Sequence, residues 1–176
     1  MRIYLPATLP MLREIVASGT IRPLRGIGFA VTAELQAEYP GADTEDLEYV
    51  AMHDAALASL RLIAAGDIEP VRVVLAVDVD SRATRDADGS AGVTARGDLD
   101  RAAVSIAGSI EWAAVVSAHL DGGDVAPVVR AAADAITAAD LGDMDAALAV
   151  GDAEDIDLGW YAPSEIGYLV TELSSP

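Results

Sequence analysis

The sequence predicts an α/β or α+β domain: a mixed sheet of five to six strands covered by helices, packed as a single-domain sandwich over residues 1–176. Three observations carry that prediction. Val71-Arg72-Val73-Val74-Leu75-Ala76-Val77 is β-branched and nearly continuous in apolar character, as a strand covered on both faces must be. Residues 45–65 place Tyr49, Met52, Ala56, Leu60 and Ile63 at helical spacing, and Val50, Leu57 and Ala64 widen the stripe enough to press on a sheet. Strand-like and helix-like patterns alternate early in the chain, whereas two strand-like runs follow one another later, which mixes crossovers with a hairpin. No self-similar period of a solenoid is present.

The elements follow in order. Arg2-Ile3-Tyr4-Leu5 reads as a strand stopped by Pro6. Thr8 caps a helix carrying Leu9, Leu12, Ile15 and Val16, with Pro10 tolerated in its first turn and Gly19 at its exit. Residues 27–31 form a second strand. Thr32 caps a short helix that Pro40-Gly41 ends, and Thr44 caps the long helix that Gly66 closes. From Ser81 to Gly97 only Val93 is large and apolar, so residues 81–97 read as a flexible surface loop. Residues 102–106 and 111–120 form a hairpin turned at Gly108-Ser109. Asp124 caps a helix with Val125, Val128, Val129, Ala132, Ile136 and Ala139 on one face. Leu141, Met144 and Leu148 mark another short helix, residues 158–161 a last strand, and Ser164 caps a final turn through Ile166 and Leu169.

Composition narrows the function. The chain is 52% hydrophobic, yet 35 of its 176 residues are alanine and only eight are aromatic, so the core is built from small side chains. That apolar share excludes a disordered chain. Without cysteine there is no disulfide framework, thiolate metal site or cysteine nucleophile. Without lysine there is no P-loop lysine and no Schiff base. Neither a nucleophile elbow nor a dinucleotide fingerprint is present, because Gly26-x-Gly28 precedes its strand rather than following it. A formal charge of −18 opposes nucleic-acid binding. Met1 is followed at once by Arg2-Ile3-Tyr4-Leu5-Pro6, from which no leader is expected, and no apolar run approaches the roughly 20 residues of a membrane span. The expected location is cytoplasmic, with no membrane partner.

The charge is uneven. Arg130 is the last base, and residues 131–176 hold ten acids: Asp134, Asp140, Asp143, Asp145, Asp152, Glu154, Asp155, Asp157, Glu165 and Glu172. Such a stretch repels itself unless it is solvated, ion-bound or paired with a basic partner.

Several segments are similar to one known family. They are Tyr4-Leu5-Pro6-Ala7-Thr8, Leu47-Glu48-Tyr49, Trp112 to Asp121, Asp140-Leu141-Gly142-Asp143, and Val150-Gly151-Asp152-Ala153-Glu154-Asp155 leading to Trp160-Tyr161-Ala162-Pro163. Together they resemble a family of short acidic actinobacterial proteins of unknown function that carry this Trp-Tyr-Ala-Pro motif. The resemblance spans nearly the whole chain apart from residues 81–97. It implies an origin and a single full-length domain, and it brings no activity and no catalytic residues.

Two constellations compete for a function. Asp78 and Asp80 end one predicted strand, and His119 and Asp121 end another. If those strands ran parallel, the four would meet where open sheets place ligands, and His119 would serve as acid, base or metal ligand beside carboxylates. This is the reading as a small-molecule or divalent-cation-dependent enzyme or binding protein. The other constellation is the acidic stretch Asp152, Glu154, Asp155 and Asp157 with Trp160 and Tyr161. Asp152, Asp155 and Asp157 offer the oxygens that Ca²⁺ or Mg²⁺ takes, but the EF-hand pattern fails for want of its Gly and its final acid. Helix capping and a solvated loop are the favoured explanation of these acids over a bound metal. Trp160 and Tyr161 read both as volume for an alanine-rich core and as apolar anchors for a partner. The sequence therefore favours a non-catalytic protein-binding domain, with a basic protein as partner and no resident cofactor. A homo-oligomer burying the Trp-Tyr strand is a further possibility.

Overall fold

The computed structural model describes residues 1–66, 69–79, 93–96 and 100–173. In chain order its elements are β1 (Arg2–Thr8), α1 (Leu9–Ser18), β2 (Thr20–Ile21), β3 (Ile27–Phe29), α2 (Ala33–Glu38), α3 (Thr44–Ala64), β4 (Arg72–Asp78), β5 (Val93–Ala95), β6 (Ala103–Ile106), β7 (Ile110–Glu111), β8 (Val115–Leu120), α4 (Ala126–Asp140), α5 (Met144–Glu154), β9 (Gly159–Tyr161) and α6 (Pro163–Glu172).

Seven strands form one sheet in the order β5-β6-β3-β1-β4-β8-β9, and β2 and β7 form a separate two-stranded ribbon. Every pairing among the described strands is antiparallel, which corrects the expectation of a mixed sheet of five to six strands. The α2–α3 crossover does join two strands that run the same way, β3 and β4, but β1 lies between them and is antiparallel to both. The expected hairpin of residues 102–106 with 111–120 does not form either. β6 pairs with β3 and β5, β8 pairs with β4 and β9, and a 3₁₀ turn at Trp112–Ala114 separates β8 from the ribbon strand β7. Residues 93–95, expected in the loop, are the edge strand β5. Residues 81–92 of that loop lie outside the described residues.

β1 runs through Pro6 to Thr8 instead of stopping at the proline. Its ladder to β3 is confined to Tyr4 and Phe29, whereas its ladder to β4 extends from Arg2 to Thr8. No ladder pair between β1 and β3 falls at Pro6, so its missing N–H costs no described pairing on that side. Gly26 and Gly28 serve this packing. A Cβ at Gly26 would lie 2.6 Å from the Ile106 carbonyl oxygen, and one at Gly28 would lie 2.8 Å from both Ile3 Cγ2 and Ile106 Cδ1.

Helices cover both faces of the sheet. One face buries Ile3, Leu5, Val73, Leu75 and Leu120 against Leu9, Leu12 and Ile15 of α1 and Ile166 of α6. The other buries Tyr4, Phe29, Val74 and Ala76 against Leu35 of α2 and Leu47, Ala51 and Ala55 of α3. A third core lies outside the sheet, where Leu60 and Ile63 of α3 meet Val129, Ala132 and Ile136 of α4 and Val150 and Ala153 of α5. The α4–α5 hairpin is therefore an outer layer resting on α3.

The sheet side of α3 differs from the predicted stripe. Leu47, Ala51, Ala55 and Ser59, four residues apart, are buried, and Tyr49 is exposed. Small residues let the helix approach closely, and Ser59 enters the β1–β4 ladder itself. Its hydroxyl donates to the Ala7 carbonyl at 2.6 Å and accepts from the Val73 amide at 3.0 Å. The helix starts one residue early. Asp43 is its cap, accepting from the Asp46 amide while Asp46 accepts from the Asp43 amide.

Candidate functional site

The antiparallel pairing of β4 with β8 separates the predicted strand-end cluster. Val73 faces Leu120 and Val74 faces His119, so the end of β8 lies beside the start of β4 and away from Asp78. The parallel arrangement that would have brought Asp78, His119 and Asp121 to one end of the sheet is therefore not the one found; Asp80 itself lies outside the described residues. Asp121 is fully buried against Arg72, its carboxylate accepting from the Arg72 amide at 2.7 Å, from Nε at 3.0 Å and from Nη2 at 2.7 Å. Arg72 Nη2 also donates to the Ile156 carbonyl at 3.0 Å, pinning the chain after α5. With its oxygens so occupied, Asp121 is a structural counter-ion.

Asp78 takes both arms of Arg2, at 3.0 and 3.1 Å, and these hydrogen bonds hold its carboxyl below the ordinary range. His119 lies 3.1 Å from the Ser117 hydroxyl and opposite Trp160 across the β8–β9 ladder. Burial, with a smaller contribution from the Arg2 guanidinium, lowers the His119 pKa, which favours neutral imidazole. Tyr4 donates to Glu48 at 3.3 Å, and its hydroxyl is pushed up to about 12 by burial and then by the Glu48 charge. Arg2, Asp78, Tyr4 and Glu48 are thus mutually satisfied, and no bare acid–base pair remains among them.

A different acid stands out. Asp54 of α3 lines an open cleft of about 430 Å³ with Asp100, Val50 and Tyr39, beside the Arg101–Glu38 ion pair. Burial first, then the Asp100 charge, raise its carboxyl from the ordinary 3.8 to about 6. It can hold or release a proton near neutrality. Among the described residues the cleft lining holds one hydroxyl, the Tyr39 phenol, and the acids Glu38, Asp54 and Asp100 beside Arg101. The sequence signal for Asp54 was its place one turn beyond Val50 on a helix half-covered by its neighbours.

The C-terminal acids face water. Asp134, Asp140, Asp143, Asp145, Asp152, Asp155, Asp157, Glu165 and Glu172 are exposed, and Glu154 is half-buried. Among the described ion pairs only Asp140 has an arginine, Arg61, at 2.9 Å. Asp157 accepts from the Tyr49 hydroxyl at 3.4 Å, and the Glu154 carbonyl lies 3.0 Å from His53 Nε2. Asp143 caps α5 by accepting from the Asp145 and Ala146 amides at 3.0 Å. Asp152, Asp155 and Asp157 form no metal-ligating set, since among the described residues no three acids or histidines stand where they could hold an ion. Trp160 is exposed on the edge strand β9, and Tyr161 packs partly into the core beneath α6.

Sequence reasoning missed one feature of this face. Leu141, Met144 and Leu148 do mark a helix, yet all three project into water. Their acidic neighbours Asp140, Asp143 and Asp145 were the available signal, because a core-facing turn is rarely so flanked.

No helix among the described residues is long and apolar enough to cross a membrane. No curated protein and no solved structure matches the chain. One family model does, over residues 1–170, and by that match the chain belongs to DUF6912, a family of unknown function.

Proposed function

We propose that this protein is a non-catalytic, cytoplasmic protein-binding domain whose acidic C-terminal face engages a basic partner. The observation that carries the reading is the outward field of α4, α5 and the segment after them: nine of the ten acids beyond Arg130 are exposed, and only Asp140 has an arginine among the described ion pairs. Nine carboxylates turned to water give that face a negative field toward a partner. Trp160, exposed on β9 shortly after Asp157, offers an apolar anchor beside those acids. The non-catalytic reading is supported by the antiparallel pairing of β4 with β8, which sets Asp78 and Asp121 at opposite ends of that pair, and by the Arg72 guanidinium that occupies Asp121. An actinobacterial source belongs to the same proposal, supported by arginine in place of lysine throughout and by the Trp-Tyr-Ala-Pro motif at 160–163.

Electrostatic steering weakens as salt screens the charges. The test measures association with a basic bait protein by surface plasmon resonance at low and high ionic strength. Affinity is expected to fall by about tenfold or more between roughly 0.05 and 0.5 M salt. Equal affinity at both strengths would exclude the acidic face as the binding element.

A further inference from the structure

Resting on the acidic-face reading, we propose that the tip of the α4–α5 hairpin is a docking surface for a basic amphipathic helix of another protein. Leu141 is 85% exposed, Met144 77% and Leu148 69%, whereas among the other described leucines only Leu24 is exposed. A single exposed leucine means nothing, but large apolar side chains grouped together and rimmed by polar ones mark an interaction surface. Leu141 stands in the turn entering α5. Met144 and Leu148 follow four residues apart on one face of that helix, and Asp152 continues the same row. Asp143 and Asp145 flank Met144. The surface is thus an apolar strip with carboxylates along its sides and at its far end. α5 is held to the molecule from its other side, through Val150 and Ala153.

Charge selects the occupant. A second copy seated on the same patch would set one acidic rim against another, and the sequence beyond Arg130 contains no base to relieve it. An anionic lipid surface is repelled for the same reason. A helix with apolar residues at helical spacing and flanking arginines or lysines meets both requirements, covering the strip and neutralising its rim.

The probe is a fluorescently labelled leucine–lysine peptide with its leucines on one helical face. A scrambled isomer of identical composition is its control, and affinities are read by anisotropy. Leu141→Ser/Met144→Ser/Leu148→Ser removes the strip without touching a buried residue, and circular dichroism with a thermal melt verifies its fold. The wild-type protein should bind the amphipathic peptide at least about tenfold more tightly than the scrambled one, and the triple variant should lose that preference. Asp145→Asn/Asp152→Asn should weaken both peptides, most strongly at low salt. If the triple variant keeps the preference while salt and the aspartate variant still weaken binding, the hairpin tip is not the site and the acidic-face reading stands. If neither peptide binds, or binding ignores salt, both readings fall. A strip-dependent dimer on gel filtration, or strip-dependent binding to anionic phospholipid vesicles, would overturn the assignment of the occupant.

Discussion

Arg72 and Asp121 show what a single buried pair decides. Their side chains are 3% and 0% exposed, so each charge depends on the other for its solvation. Replacing a buried pair by apolar residues of similar volume is often tolerated, whereas removing one member strands a charge in the interior. Asp121→Ala is therefore expected to lower the unfolding free energy by about 3–5 kcal/mol, read from urea denaturation. Arg72→Met/Asp121→Leu should recover most of that loss, and an equal loss in the double variant would mean that the pair itself stabilises. The sequence did contain a hint, since Arg72 is the one charge in an otherwise apolar run. Nothing local identified its partner, which lies 49 positions away. Asp121 consequently invited a catalytic reading when it is a strut. Ser59 is similar: one hydroxyl on an alanine face looks like tolerated polarity until Ala7 and Val73 are seen on either side of it.

Local rules placed the elements well and their ends less well. The β-branched run became β4 and the 3.6-residue stripe became α3, because burial on both faces and helical periodicity are properties of a short window. Caps shift because the side-chain oxygens of adjacent residues compete for the same amides, and the Asp43–Asp46 reciprocal pair outcompetes Thr44. Asp43→Ala removes the capping carboxylate from an exposed helix start, and thermal unfolding should show a loss of about 1 kcal/mol. No change would mean that Thr44 takes over the cap. The hairpin of residues 102–120 failed for a different reason. Two strand-like runs joined by Gly108-Ser109 satisfy every local rule for a hairpin, but competing edges elsewhere in the sheet offered β6 and β8 better partners.

At the scale of the molecule, the layered packing brings α2, α3 and Asp100 around Asp54 and raises its carboxyl to about 6. A carboxyl with a folded pKa above its unfolded value binds more protons in the folded state between the two. Stability therefore falls as pH rises from about 4 through about 6, and the loss persists above that window. Solvent reaches part of the group, so the effect is about 1 kcal/mol after screening. Asp54→Asn should flatten the fall and leave the protein more stable than wild type at pH 7, as read from denaturation midpoints between pH 4 and 8. A wild-type-minus-Asp54→Asn difference that stays constant across the window would contradict the burial of Asp54. His119 acts in the opposite direction, since a lowered histidine pKa makes stability rise with pH toward the ordinary 6.5.

The sequence by itself determined the class of object: an α/β-type chain with an alanine-rich core, a long helix against a central strand, no thiol or lysine chemistry, and its negative charge concentrated at the C-terminal end. These are sums and short periods, and they survive any arrangement of the elements. Only the tertiary structure decided that the described sheet neighbours run antiparallel, that Asp121 belongs to Arg72, and that Leu141, Met144 and Leu148 face water. Strand direction and helix facing are set by competition among distant surfaces for burial. That competition is resolved in space, between residues far apart along the chain.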